Sequence, residues 1–296
     1  EEKMKKLLVL LMLVSVTLSL IPIKNVSAED LECPTPKSLM LHSWYGVKNT
    51  ELLAKELIAN DLVTYTYGQI YELYDSGKCA PKNAVLISLD DFYSVYENKV
   101  LFDMANVFVD YGLVMTLGLI TRTESYKQDL DIWDKLKDLQ NNGFEIASHS
   151  SDHYNPYDLD ERGLRDEIIG SHKIVCEYLG KCPETYILPY GAGWDYDILL
   201  RIAGEKYRSI VSIAGPSTYS GQFFVMKRTS PGDRTPSETI KYMEVAFPWF
   251  PQVNGENENI VSRKVRKINK IGERKILSGL KILYENESEG NTCFVN

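Results

Sequence analysis

Between residues 38 and 228 the chain alternates short apolar runs with amphipathic stretches of helical period, and this alternation narrows the fold more than any other feature. Residues 38–42, 84–91, 113–120, 144–148, 186–190, 209–213 and 223–228 read as strands, most of them apolar enough to be buried on both faces. Residues 50–59, 67–76, 94–111, 128–142, 158–179 and 195–204 read as the helices between them. In 128–142, Ile132, Trp133, Leu136 and Leu139 share one face, and Gly143 stops the helix. Repeated β–α units build a parallel sheet, open or closed into a barrel. Chemistry in such folds collects at the C-terminal ends of the strands.

Those ends are where this sequence keeps its unusual residues. The run 84–91 finishes in Asp90 and Asp91, an acid pair that is costly to bury unless paired or metal-bound. Successive residues of a regular strand face opposite sides, so one acid would face a metal and the other an attacking water. The plainer alternative makes Asp91 the cap of the helix 94–111. The run 144–148 leads into His149-Ser150-Ser151-Asp152-His153, which holds two of the four histidines of the chain. Imidazoles at i and i+4 entering a loop can grip a divalent metal; otherwise they are structurally bonded residues of a capped turn. His42 ends the first strand, and Tyr190 ends the run 186–190. His172 falls on the apolar stripe Leu164, Ile168, Val175 and Leu179, and reads as a half-buried packing residue.

The termini read differently. Residues 1–28 have the form of a secretory signal peptide: basic Met4-Lys5-Lys6, an apolar stretch over 7–21, and the small-residue site Val26-Ser27-Ala28. An apolar stretch of about 15 residues is short for a membrane span. The expected location is therefore secreted or extracytoplasmic, with no transmembrane span once the leader is removed. Residues 29–250 suit one α/β domain, and 251–296 a partly helical or irregular extension. The net charge of −8 becomes more negative without the lysine-rich leader, which argues against nucleic acid or anionic lipid as partner. Five cysteines in an exported chain suggest disulfides. Cys33 and Cys79 each precede a strand by five residues and could pair, and Cys176 and Cys182 could bridge a helix-to-strand loop. Cys293 would then be left over; spacing alone does not fix the connectivity.

Taken together, these residues resemble the polysaccharide deacetylases, the NodB-type, carbohydrate esterase family 4-like domain, in its biofilm-polysaccharide branch. Ser88-Leu89-Asp90-Asp91 resembles the family's Thr-Phe-Asp-Asp motif. His149 to His153 is similar to its His-Ser/Thr-x-x-His motif, with Gly143-Phe144-Glu145-Ile146 as the usual approach. Tyr186-Ile187-Leu188-Pro189-Tyr190-Gly191 resembles the Phe-Ala-Tyr-Pro-Tyr-Gly form of the third motif. The resemblance implies a distorted (β/α) barrel with fewer than eight regular units. It implies a divalent metal, usually zinc, held by Asp91, His149 and His153, with Asp90 as general base and the Tyr190 N–H helping to hold an oxyanion. Pro189 and Trp249 are the candidate substrate contacts. The implied reaction removes N-acetyl groups from an N-acetylated polysaccharide or oligosaccharide.

Three departures stand out. Phe92 replaces the glycine after the acid pair, and Ile187 stands where the commoner third motif has the arginine that positions the base. No histidine follows His172, so the family's late general acid has no counterpart; His42 is the substitute at the same barrel mouth. This gap leaves a second reading open, a deacetylase-like domain that binds glycan without turnover. A two-carboxylate glycosidase does not fit, because adjacent acids cannot flank a sugar at the required separation.

Overall fold

Each of the expected strands and helices is present, with ends displaced by a few residues. The computed structural model describes residues 33, 35–92, 95–121, 130–214, 217–219 and 224–246. The expected leader, the C-terminal extension, Trp249 and Cys293 lie outside the described residues. The order is β1 (Lys37–Leu41), α1 (Gly46–Ala59), β2 (Val63–Tyr65), α2 (Tyr67–Asp75), β3 (Ala84–Phe92), α3 (Val95–Asp110), β4 (Thr116–Leu119) and α4 (Leu130–Asn141). It continues with β5 (Glu145–Ser148), α5 (Glu161–Leu179), β6 (Thr185–Ile187), α6 (Asp197–Ala203), β7 (Ser209–Ser212), β8 (Thr218–Tyr219), β9 (Phe224–Lys227) and α7 (Pro236–Ala246).

The strands form one sheet in the order β1-β3-β4-β5-β6-β7-β9-β8, parallel except for the β8–β9 pair. Beyond β9 the chain returns to β1: Thr229 bridges Leu39, with Met40 N–H donating to the Thr229 carbonyl at 2.7 Å and Thr229 N–H to the Ser38 carbonyl at 2.9 Å. The sheet is thereby closed into a barrel of seven strands, fewer than eight as expected. β2 sits off this ring, paired with Ala84 to Leu86 at the start of β3.

Strand periodicity divides the core. Val85, Ile87 and Leu89 of β3 face outward and pack on Leu53 and Leu57 of α1 and on Leu101, Ala105 and Phe108 of α3. Ala84 and Leu86 face inward with Ala147, Ile187, Val211 and Met226. The barrel interior is thus filled, and only its rim is free to carry chemistry. At the opposite end Glu145 accepts hydrogen bonds from Gly68 N–H at 3.0 Å, Thr116 Oγ1 at 3.1 Å and Thr185 Oγ1. Burial pushes its carboxyl above the ordinary value, against the pull of those donors.

Local sequence sets the helix ends. Thr66 and Gln69 form a capping box at the start of α2, and Asp160 caps α5 by accepting Gly163 N–H at 2.8 Å. α5 stops at Gly180, in the left-handed conformation that glycine tolerates (φ 67°). The disulfides Cys33–Cys79 and Cys176–Cys182 are both formed. Residues 186–190 are not one strand: β6 ends at Ile187, and Pro189 starts a 3-10 turn over Pro189–Gly191. Proline lacks the N–H that a continuing interior strand would need.

Candidate metal centre and active site

β3 does not end as a regular strand. Its pairing with β4 slips between Leu89 and Phe92, and Asp91 between them adopts φ 67°. This bulge overturns the strict alternation expected for the two acids: Asp90 and Asp91 both turn to the barrel mouth. Asp90 is 1% exposed, while the Asp91 side chain keeps 28% of its surface.

From β5, His149 enters the mouth 2% exposed. Its Nδ1 lies 2.9 Å from the Ile187 carbonyl, so Nδ1–H donates there and Nε2 presents its lone pair to the acids. His153 returns to the same point because Ser150 (φ 69°) and His153 (φ 59°) fold the loop back on itself. Asp91 Oδ1 lies 3.5 Å from His149 Nε2 and 3.7 Å from His153 Nε2. Donor atoms of the three residues all lie within 4.8 Å of one another.

These distances test whether a metal fits. Asp91 Oδ1 is buried and makes no hydrogen bond among the described residues, and its separations from the imidazoles are too long for one. Ligands about 2.0–2.1 Å from a tetrahedrally coordinated ion stand roughly 3.4 Å apart. The donor set therefore has the spacing of groups that share an ion between them. The protonation states agree. Burial raises the Asp91 carboxyl, but His149, His42 and His153 outweigh it and hold its pKa below the ordinary value. Burial, and then the neighbouring His149, push His153 down to about 4, so its ring is neutral and able to ligate.

Asp90 is held by a residue the sequence reading missed. Arg228, just beyond β9, is 2% exposed, and its Nη1 lies 2.8 Å from Asp90 Oδ1, 2.7 Å from Oδ2 and 2.6 Å from Ser88 Oγ. It follows β9 directly and brings a guanidinium to Asp90, whereas position 187 is an isoleucine. Asp90 Oδ2 stands 3.8 Å from His149 Nε2, next to the triangle without belonging to it.

His42 completes the mouth. Its Nε2 lies 3.6 Å from Asp91 Oδ2, and Nδ1 is buried without a hydrogen bond among the described residues. Tyr190 adopts φ 57° and sets its ring 4.6 Å from that of His153. Pro189 is buried in the same turn. His172 stands on α5 against the Tyr207 ring and 3.5 Å from Cys176 Sγ, as a packing residue. Trp249 lies outside the described residues.

Known proteins agree with this picture. The family model described as polysaccharide deacetylase matches residues 77–208. No curated sequence relative matches the chain. Among solved structures, the fold is similar to a Streptococcus pyogenes deacetylase, PplD, in complex with acetate (15% identity, TM-score 0.57, covering 71% of this chain and 99% of that one). It is similar to IcaB from Ammonifex degensii (17%, TM-score 0.55, 70% and 96%). It is also similar to a de-N-acetylase from Aggregatibacter actinomycetemcomitans (15%, TM-score 0.53, 70% and 99%). Over residues 77–208 the chain thus matches the polysaccharide deacetylase model, and it shares the fold of these deacetylases.

Proposed function

We propose that the protein is an exported, metal-dependent deacetylase that removes N-acetyl groups from a glycan. The observation that carries this reading is the triangle of Asp91, His149 and His153, with Asp90 fixed beside it by Arg228. A divalent ion held there, zinc by its two imidazoles and one carboxylate, would supply a Lewis acid and lower the pKa of its water. Asp90 takes the proton from the attacking water, since it lies next to the triangle outside the ligand set. Arg228 keeps Asp90 aimed. The main-chain N–H of Tyr190 is the oxyanion donor. His42 gives the proton to the leaving amine.

Trp44 and Tyr190 are 58% and 60% exposed and flank His42 and His153, where their ring faces can take the C–H side of a sugar. Two disulfides support an oxidising, extracytoplasmic location and the leader reading of residues 1–28. Among the described residues no helix is long and apolar enough to cross a membrane. The domain would span 29–250, with 251–296 as an appendage.

The test is acetate release from N-acetylated chitooligosaccharides by purified protein, with and without a chelator. Release that the chelator stops and zinc restores supports the proposal. Glycan binding by the zinc-loaded protein without any acetate would instead make it a binding domain.

A further inference from the structure

Beneath the loop 149–153 lies a carboxylate with no place in the chemistry above. Glu167 stands on α5, is 6% exposed, and faces the loop. A buried acid needs a partner, and this one finds it in the loop backbone. Its Oε2 accepts the N–H of Asp152 at 2.9 Å. Ser150 Oγ in turn accepts the N–H of His153 at 2.9 Å. The N–H groups of Asp152 and His153 are thus held by two neighbouring acceptors, the first by Glu167 and the second by Ser150. Ser151 ties the loop to the same helix, its hydroxyl donating to the carbonyls of Asp166 at 3.1 Å and Glu167 at 3.4 Å.

The loop needs such an anchor. Ser150 and His153 both lie in the left-handed region, at φ 69° and 59°, and each such residue costs about 1–3 kcal/mol unless its surroundings hold it there. A negative charge that accepts an N–H of the turn stabilises such a conformation. The ring of His149 is fixed by the Ile187 carbonyl; the restraint on His153 comes through its backbone.

We propose that Glu167 is the positioning residue of the metal centre: its carboxylate sets the backbone of residues 150–154 so that His153 Nε2 meets Asp91 and His149, and so sets the affinity for a divalent ion. The proposal rests on the reading of Asp91, His149 and His153 as ligands. Glu167 itself touches neither ion nor substrate.

The test compares wild type, Glu167→Gln and Ser150→Ala by zinc affinity in chelator competition, by the visible spectrum of the cobalt-loaded protein, and by apo thermal midpoint. Loss of such a supporting group weakens metal binding roughly 10–100-fold. Glu167→Gln is expected to show that loss with an altered cobalt spectrum. Ser150→Ala, which removes the hydroxyl that accepts the His153 N–H and serves if the other variant does not fold, should weaken zinc in the same direction. Wild-type affinity and an unchanged spectrum in the variants, even with a lowered midpoint, would reduce Glu167 to a structural residue and overturn the proposal alone. A wild-type protein that takes up neither ion overturns the ligand reading, and this proposal with it.

Discussion

Asp90 and Asp91 are neighbours with different surroundings, and one backbone torsion makes the difference. The left-handed turn at Asp91 places it among three imidazoles, while Asp90 stays in the barrel wall against Arg228. Asp90→Asn is expected to keep its zinc and lose turnover by about 10²–10⁴-fold; equal loss of metal in Asp90→Asn and Asp91→Asn would end the division of roles. Arg228→Ala strands a buried carboxylate and should cost about 3–5 kcal/mol, read by denaturant unfolding. His42→Ala should keep zinc and slow acetate release by the zinc-loaded protein about 10²–10⁴-fold. The acids and histidines were legible because charged or metal-binding residues at the end of an apolar run need a reason to be there. Arg228 was not, although it closes the run 223–228 and obeys the same logic. Its partner is 138 residues away, and no local spacing joins the two. The bulge was illegible too, since a register slip depends on the neighbouring strand and leaves no mark in the alternation of β3 itself.

Elements were readable by the strength of their pattern rather than by their length. β3 and the amphipathic α4 and α5 stand out from the sequence, whereas the three-residue β2, the two-residue β8 and α7 escaped notice. β2 is defined by Ala84 to Leu86 beside it rather than by its own pattern. The disulfides act on elements of different reach. Cys33–Cys79 spans 46 residues and Cys176–Cys182 only 6. On chain entropy alone the long loop is worth about 4 kcal/mol and the short one about 2. Replacing both cysteines of the Cys33–Cys79 pair with serine should therefore lower the unfolding free energy about twice as far as the same change at Cys176 and Cys182. Equal losses would show that native packing, not loop closure, decides.

At the scale of the molecule, the two ends of the barrel handle charge in opposite ways: ion-pairing at the mouth, an enclosed acid at the floor. Because burial raises the Glu145 pKa, the folded state holds that proton more tightly than the unfolded chain. Its contribution is full below the unfolded value and is lost as pH rises through the folded one. The melting difference between wild type and Glu145→Gln should therefore shift in favour of wild type on going from pH 7.5 to pH 5; a difference that does not move refutes the inference. The closing contact of the barrel has a further consequence. Among the described residues β1 and the end of β9 meet through Thr229, and these are the strands that lead into His42 and Arg228. Both lie outside the stretch 77–208 that matches the family, whereas Asp90, Asp91, His149, His153 and Glu167 lie within it. If the ring breathes, it should part along this seam. Opening would carry off the proton donor and the anchor of the base while the metal triangle on β3 and the 149–153 loop stayed whole. Metal retention and turnover would then separate within a single folded molecule, and the Met40 and Thr229 amides should exchange with solvent ahead of those buried between β3 and β4.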